Sequence, residues 1–256
     1  MANRMKEKLY AGEPAFGVSV MVPSPQIVEM LGHLGFDWVL LDCEHGTLSV
    51  ESLELMAMAA QAAGLTPIAR PKRNAPEELQ AVLDRGVLGV QVPHVNTAEE
   101  ARQAVAACRY HPEGQRGLAV GTRAARYGIH LSLAQHTTEA NAETLVCIQL
   151  EEAEALGNLS GMLEVPGVDV FFLGPSDLSQ SLGFPGQPDA PPVKAAMARA
   201  FAAIRAAGRI AGCAGNAAAT KERLELGVRY TYTHLPALLA AGGDAFLKAV
   251  RPPVWH

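Results

Sequence analysis

The chain has 256 residues, 49% of them hydrophobic and 18% charged, with a formal net charge of −5 at pH 7. That balance provides material for a sizeable core and excludes an intrinsically disordered chain. Without a basic block nothing points to nucleic acid, and no apolar run approaches the ~20 residues of a membrane span.

The charged opening stretch Met1–Lys8 has no apolar segment after it and does not read as a signal peptide. Ala15 to Met21 reads as the first strand. A helix follows with Ser24 as its cap and Pro25 at its first position; Ile27, Met30, Leu31 and Leu34 fall on one face, and Gly35 ends it. Strands are expected at Asp37–Leu41 and Thr66–Arg70, separated by a helix from Val50 to Ala63. Asn74 and Glu77 have the spacing of a capping box for a third helix, with Leu79, Val82 and Leu83 facing the core and Gly86 as the stop. Asp84 falls at the exposed end of that helix. The strand Val87–Val92 comes next, then a helix from Ala101 to Cys108 capped by the Thr97 and Glu100 pair.

The stretch from Tyr110 to Glu143 is long, irregular and rich in glycine and arginine, which marks a functional or mobile loop. Four further strands are expected at Leu145–Leu150, Val168–Leu173, Arg209–Cys213 and Val228–Thr233, with helices at Val193–Ala207, Ala217–Leu226 and Pro236–Val250. The strands are near-continuously apolar, as strands covered on both faces are. Eight such units in one 256-residue domain, residues 1–256, fit a (β/α)8 TIM barrel. A doubly wound open sheet is the structural alternative.

In a barrel the C-terminal strand ends share one face, where ligands bind. Strand two ends in Asp42-Cys43-Glu44-His45-Gly46, strand three in Arg70, strand five in Gln149-Leu150-Glu151, and strand six in Gly174-Pro175-Ser176-Asp177. Glu151 and Asp177 suit Mg²⁺ or Mn²⁺, which take one or two protein carboxylates plus water and substrate oxygens. Backbone amides at Ser176 and Asp177 suit a substrate carboxylate. Arg70 suits negative charge developing on a carbonyl oxygen, and His45 suits proton movement near neutral pH, with Asp42 orienting its ring. Each residue also has a plainer reading. A strand-end carboxylate is often a surface charge, an arginine there a structural ion-pair partner, and His45 or His94 a hydrogen-bonded packing histidine. His33, His111, His130, His136 and His256 are assigned no role. The four cysteines are widely spaced, with no CxxC, and read as core thiols of a cytoplasmic protein. No GxGxxG or P-loop motif stands in the chain.

In order along the chain, Gly35-Phe36-Asp37-Trp38 through Asp42-Cys43-Glu44-His45, Ala69-Arg70-Pro71, Val92-Pro93 with Glu99-Glu100-Ala101-Arg102, Arg109 through Gly117, Gln149-Leu150-Glu151 and Gly174 through Ser179 resemble the HpcH/HpaI aldolases, metal-dependent class II pyruvate aldolases. The resemblance implies a (β/α)8 barrel whose last helix is exchanged between subunits, in a homohexamer built as a trimer of dimers. It implies Glu151 and Asp177 as ligands of Mg²⁺ or Mn²⁺, with Co²⁺ as a further candidate. Arg70 matches the residue on the 2-oxo group, His45 with Asp42 the catalytic base dyad, and Asp84 an acidic residue associated with the site across a subunit contact. Gly174, Ser176 and Asp177 match the turn that holds the pyruvate carboxylate, beside Gln149. The implied reaction cleaves a 4-hydroxy-2-oxo acid to pyruvate and an aldehyde. Cys43, His111, the shortened loop around Gly121 and Tyr232-Thr233-His234-Leu235 depart from the family's usual residues and leave the aldehyde side open. Arg123 and Arg126 are candidates there for an acidic tail. Competing readings are a citrate synthase-like condensing enzyme, an oxaloacetate decarboxylase and a non-catalytic binder of metal and 2-oxo acid.

Overall fold

A computed structural model describes residues 2–251, so His256 lies outside the described residues. Eight strands run β1 Ala15–Val20, β2 Trp38–Asp42, β3 Thr66–Arg70, β4 Gly89–Val92, β5 Leu145–Leu150, β6 Val170–Leu173, β7 Ile210–Ala214 and β8 Val228–His234. They form a closed parallel barrel in sequence order. Pairing of β1 with β8, from Ala15 opposite Tyr230 to Ser19 opposite His234, closes it and rules out the open doubly wound sheet.

The helices are α1 Arg4–Tyr10, α2 Pro25–His33, α3 Val50–Ala62, α4 Pro76–Leu83, α5 Ala98–Cys108, α6 Leu133–Glu143, α7 Ala153–Gly157, α8 Leu159–Leu163, α9 Pro175–Ser181, α10 Pro191–Ala206, α11 Ala217–Glu225 and α12 Leu235–Val250. None is long and apolar enough to cross a membrane, among the described residues.

Two apolar clusters hold the barrel. The larger lies between strands and helices; the smaller fills the interior around Trp38, Phe172, Tyr230 and Tyr232. Trp38 and Tyr230 rings sit 4.2 Å apart, and Phe172 stacks on Tyr232 at 5.3 Å. Such pairs add to what burial alone contributes. Gly17 makes room for them, since a Cβ there would come within 2.3 Å of the indole. Met5 and Leu9 of α1 bury into the same cluster, so the charged opening stretch carries a helix that plugs the N-terminal end of the barrel. Charge count alone does not reveal two buried residues four apart.

Other local expectations shift. Asn74 does not cap α4; Ala75 takes that place without a side-chain bond, and Asn74 donates to the Glu100 carbonyl instead. Pro76 at the first helical position starts the helix by its fixed φ. The Thr97–Glu100 capping box forms as expected. On α2 the buried residues are Val28 and Leu31, while Met30 and Leu34 are exposed. The loop from Tyr110 to Glu143 holds a regular helix, α6, with its own Ser132–Gln135 capping box. Its apolar periodicity is weak, so the pattern hid it.

Candidate active site

The turn after β2 organises the site. Strand register sets Asp42 directly beside Arg70 at the ends of β2 and β3. Both are buried, and Asp42 accepts from Arg70 Nε at 2.9 Å and Nη2 at 2.5 Å. A two-pronged charge-assisted pair of this kind fixes orientation as well as charge. Burial works against the Arg70 charge, but the Asp42 bond and the nearby Tyr232, Asp42 and Glu44 outweigh it and leave its pKa raised. The same Asp42 carboxylate accepts from the backbone N–H of Glu44 at 3.0 Å and of His45 at 3.2 Å, tying the loop to the strand end. Gly46 lets the chain double back, because a Cβ there would meet the Asp42 carbonyl oxygen at 2.1 Å. Asp42 therefore corrects one expectation. It holds Arg70 and the His45 backbone, and no bond links it to the His45 ring. Its oxygens bond the guanidinium and the loop N–H groups, and the imidazole is not among their partners. That ring lies 3.7 Å from Glu44 instead and is more than half exposed.

Glu151 sits one residue past β5, buried, at the head of a hydrogen-bond chain through the barrel interior. The Tyr230 hydroxyl donates to Gln91 Oε1 at 3.0 Å, Gln91 Nε2 donates to Gln149 Oε1 at 2.7 Å, and Gln149 Nε2 donates to Glu151 Oε2 at 2.6 Å. The His94 backbone N–H donates to Glu151 Oε1 at 2.9 Å. Gly174 lies against this carboxylate; a Cβ at that position would come within 3.0 Å of Glu151 Oε2. Asp177, in the first turn of α9, is exposed and has no hydrogen-bond or ion-pair partner among the described residues. His45, Arg70, Gln149, Glu151, Gly174, Ser176 and Asp177 all line one pocket of about 460 Å³ at the C-terminal mouth of the barrel.

Asp84 is not in that pocket within this chain. It caps the C-terminus of α4, at the opposite end of the barrel, and is buried rather than exposed, bound to Arg116 at 2.8 Å. The expectation of an exposed helix end fails because the 110–132 segment folds over it and brings Arg116, which also stacks on Tyr110 at 4.7 Å. Arg123 and Arg126 lie on this side too. Arg123 donates to Gln61, Arg85 and Gly86, and Arg126 pairs with Glu139.

Two residues beside the site, His94 and Glu44, carry no role in the sequence reading. His94 follows β4 with φ +52°, and its ring bridges Glu151 and Glu152 on Nδ1, at 3.3 and 3.2 Å, and Glu44 on Nε2 at 3.3 Å. Such a backbone is uncommon outside glycine. Burial lowers its pKa, but Glu151 and Glu44 outweigh burial and the net direction is upward. Glu44, held to Arg70 Nε at 3.2 Å, is pushed up by burial, with Arg70 opposing. Both stand within two residues of a strand end, the signal used for the others; the ring's direction came only from the left-handed backbone.

The family model described as HpcH/HpaI aldolase/citrate lyase matches residues 16–233. The chain belongs to this family. A relative from Salmonella dublin, named 4-hydroxy-2-oxo-heptane-1,7-dioate aldolase, is 38% identical over 250 residues, covering 97% of this chain and 94% of the relative. The structure of an HpcH/HpaI aldolase/citrate lyase family protein from Burkholderia cenocepacia J2315 superposes with a TM-score of 0.91 at 31% identity, covering 98% of this chain and 100% of that one. The citrate synthase SbnG superposes with a TM-score of 0.84 at 26% identity, covering 95% and 96%.

The donor set of this HpcH/HpaI family member fits a hard divalent cation. Glu151 is a buried carboxylate whose neighbours leave lone pairs open, and Asp177 is a second carboxylate without a partner on the same pocket wall. Among the described residues no group of three or more His, Cys, Asp or Glu is arranged to hold a metal ion by itself. Two carboxylates with water and substrate oxygens are the usual way such an ion is held.

Proposed function

We propose that the protein is a class II aldolase of EC 4.1.2, which cleaves a 4-hydroxy-2-oxo acid to pyruvate and an aldehyde. The observation that carries this is the convergence of the Asp42-anchored Arg70, Glu151, unpartnered Asp177 and His45 on one pocket. Glu151 and Asp177 would hold Mg²⁺ or Mn²⁺, with Co²⁺ as a third choice. When bound, the ion supplies Lewis-acid withdrawal of electron density from the 2-oxo group.

Arg70 orients the 2-oxo oxygen and stabilises the negative charge that develops on it. Because Asp42 fixes the guanidinium beforehand, little reorganisation is needed as charge builds. His45 takes the proton of the C4 hydroxyl. The electron pair of the O–H bond becomes the aldehyde carbonyl, the C3–C4 bond breaks, and its pair passes into the pyruvate enolate. Protonation at C3 then releases pyruvate. Backbone N–H groups in the first turn of α9, at Ser176 and Asp177, have no intrahelical acceptors and suit the substrate carboxylate. Gln149 contributes by fixing Glu151 from below.

The decisive experiment follows pyruvate release from 4-hydroxy-2-oxo acids, coupled to lactate dehydrogenase, with Mg²⁺ or Mn²⁺ and with EDTA. Metal-dependent release that drops in Glu151→Ala and His45→Ala supports the proposal. Release that EDTA and both substitutions leave unchanged refutes it. A citrate synthase-like condensation is the second reading, favoured by the likeness to SbnG; product analysis with oxaloacetate and acetyl-CoA separates the two.

We further infer a homohexamer, a trimer of dimers in which α12 packs on a second copy. Leu239, Phe246 and Val250 leave an apolar face of α12 65%, 66% and 58% exposed, and an apolar groove lined by Phe16, Phe36, Leu224 and Leu238 runs beside β8. In such an assembly Asp84 would sit at a subunit contact. Sedimentation equilibrium at the mass of one chain would refute this. Four free, buried thiols suit a cytoplasmic setting.

A further inference from the structure

Two guanidinium groups line the pocket. Arg70 is committed to Asp42 and Glu44. The other is Arg223, on α11, and it has no carboxylate within ion-pair distance among the described residues. Its position is nevertheless built. Nη1 donates to the carbonyl of Ala214, the last residue of β7, and the group lies across Gly215, where a Cβ would come within 2.6 Å of Nη1. A side chain at 215 would push the guanidinium away. The glycine and the carbonyl hold it at the pocket wall instead of in bulk water.

The nearby acids do not neutralise it. Glu222 is engaged by Lys194 at 2.9 Å, and Asp189, which shares the wall, is outside ion-pair range. A guanidinium has five N–H donors, and one of Arg223's is used. The pyruvate end of the pocket is the Arg70, Glu151 and Asp177 side, and a three-carbon oxo acid fills a small part of about 460 Å³. The rest faces the β7 and β8 walls, where Arg223 is accompanied by neutral donors and acceptors, Asn216 and Thr233. His234 is there too; burial and then the Arg70 charge hold its imidazole below the ordinary value, so it adds hydrogen bonds rather than a second cation. Arg123 and Arg126, the loop arginines that the sequence offers for an acidic tail, are spent on the far side of the barrel.

We propose that Arg223 is a specificity-determining residue: it binds a carboxylate at the far end of the aldehyde component and so sets the preference for a diacid over a monoacid. This rests on the aldolase reading above. It assigns the selectivity to one side chain on the β7–α11 wall.

The test compares pyruvate release from 4-hydroxy-2-oxoheptanedioate and from 4-hydroxy-2-oxoheptanoate, which has the same chain length but no second carboxylate. Wild type, Arg223→Gln and Arg223→Lys are measured with Mg²⁺. Arg223→Gln is expected to raise KM for the diacid by about 10- to 100-fold, the worth of one charge-assisted hydrogen bond, with kcat changed far less. The diacid-over-monoacid preference should fall by at least about 10-fold, with Arg223→Lys recovering part of it. Equal losses on both substrates would mean that Arg223 only braces the β7–α11 loop, and an unchanged preference would also overturn the assignment. Calorimetric titration with succinate, at saturating pyruvate, reads the same subsite without turnover. About 10-fold weaker binding in Arg223→Gln is expected. Equal binding in both proteins, or none in wild type, overturns the proposal. If wild type releases no pyruvate from either compound, the aldolase reading falls and the succinate titration still decides Arg223.

Discussion

Gln149 is the joint between the barrel interior and the site, and Gln149→Leu tests that directly. Leucine keeps the volume but removes every polar contact. The bond from Gln91 at 2.7 Å is neutral and is worth about 1 kcal/mol; the bond to Glu151 at 2.6 Å reaches a charge and is worth about 1.5–3 kcal/mol. The Arg70 contact at 3.5 Å adds little. A loss of about 3 kcal/mol follows. Gln91 is fully buried, so the first substitution leaves its Nε2 with only the 3.5 Å contact to the Tyr232 hydroxyl. Removing Gln91 as well should therefore cost less than the two single losses added, by about 1 kcal/mol. Urea unfolding of wild type, Gln149→Leu, Gln91→Leu and the double variant, followed by fluorescence, measures this cycle. Additivity within about 0.3 kcal/mol, or a Gln149→Leu protein as stable as wild type, would refute the idea that these side chains act as one chain.

Asp84→Asn should cost about 3 kcal/mol in thermal or urea unfolding, because it leaves the Arg116 guanidinium, 2% exposed, without its counter-charge. Gly46→Ala should lower kcat/KM by about 100-fold with little loss of helix signal, since the Asp42–His45 turn must open to relieve a 2.1 Å contact; unchanged activity would show that the turn is not what presents His45. Burial holds the Cys108 and Cys213 thiols up to about 12, against 9.0 for an ordinary thiol. The unfolded chain therefore loses these protons first as pH rises. Stability is fully present below pH 9.0 and declines above it, by about 3 kcal/mol per thiol by pH 11. Urea midpoints at three alkaline pH values, with Cys213→Ala as a flatter comparison, check the sign.

Much of the barrel was legible in the residue order. β3 and β5 match their expected bounds, because a buried parallel strand is a short, largely apolar run with polar residues gathered at its end. The same rule located Arg70, Gln149, Glu151 and Asp177, since strand ends in a closed barrel must share one face. Side-chain direction was not legible. Asp42 reads as a partner for His45 at three residues' separation, yet register sets it against Arg70, a strand away. Asp84 reads as exposed until the 110–132 segment brings Arg116 over it. The contacts of His94 with Glu44 and Glu151 come with a left-handed backbone that no pattern marks, and Arg223 reaches the pocket wall from a helix, over the bare Cβ position of Gly215. Local pattern determines which residues stand at a strand end, because it depends on neighbours in the chain. Which of them bond is decided by neighbours in space, and only barrel closure supplies those.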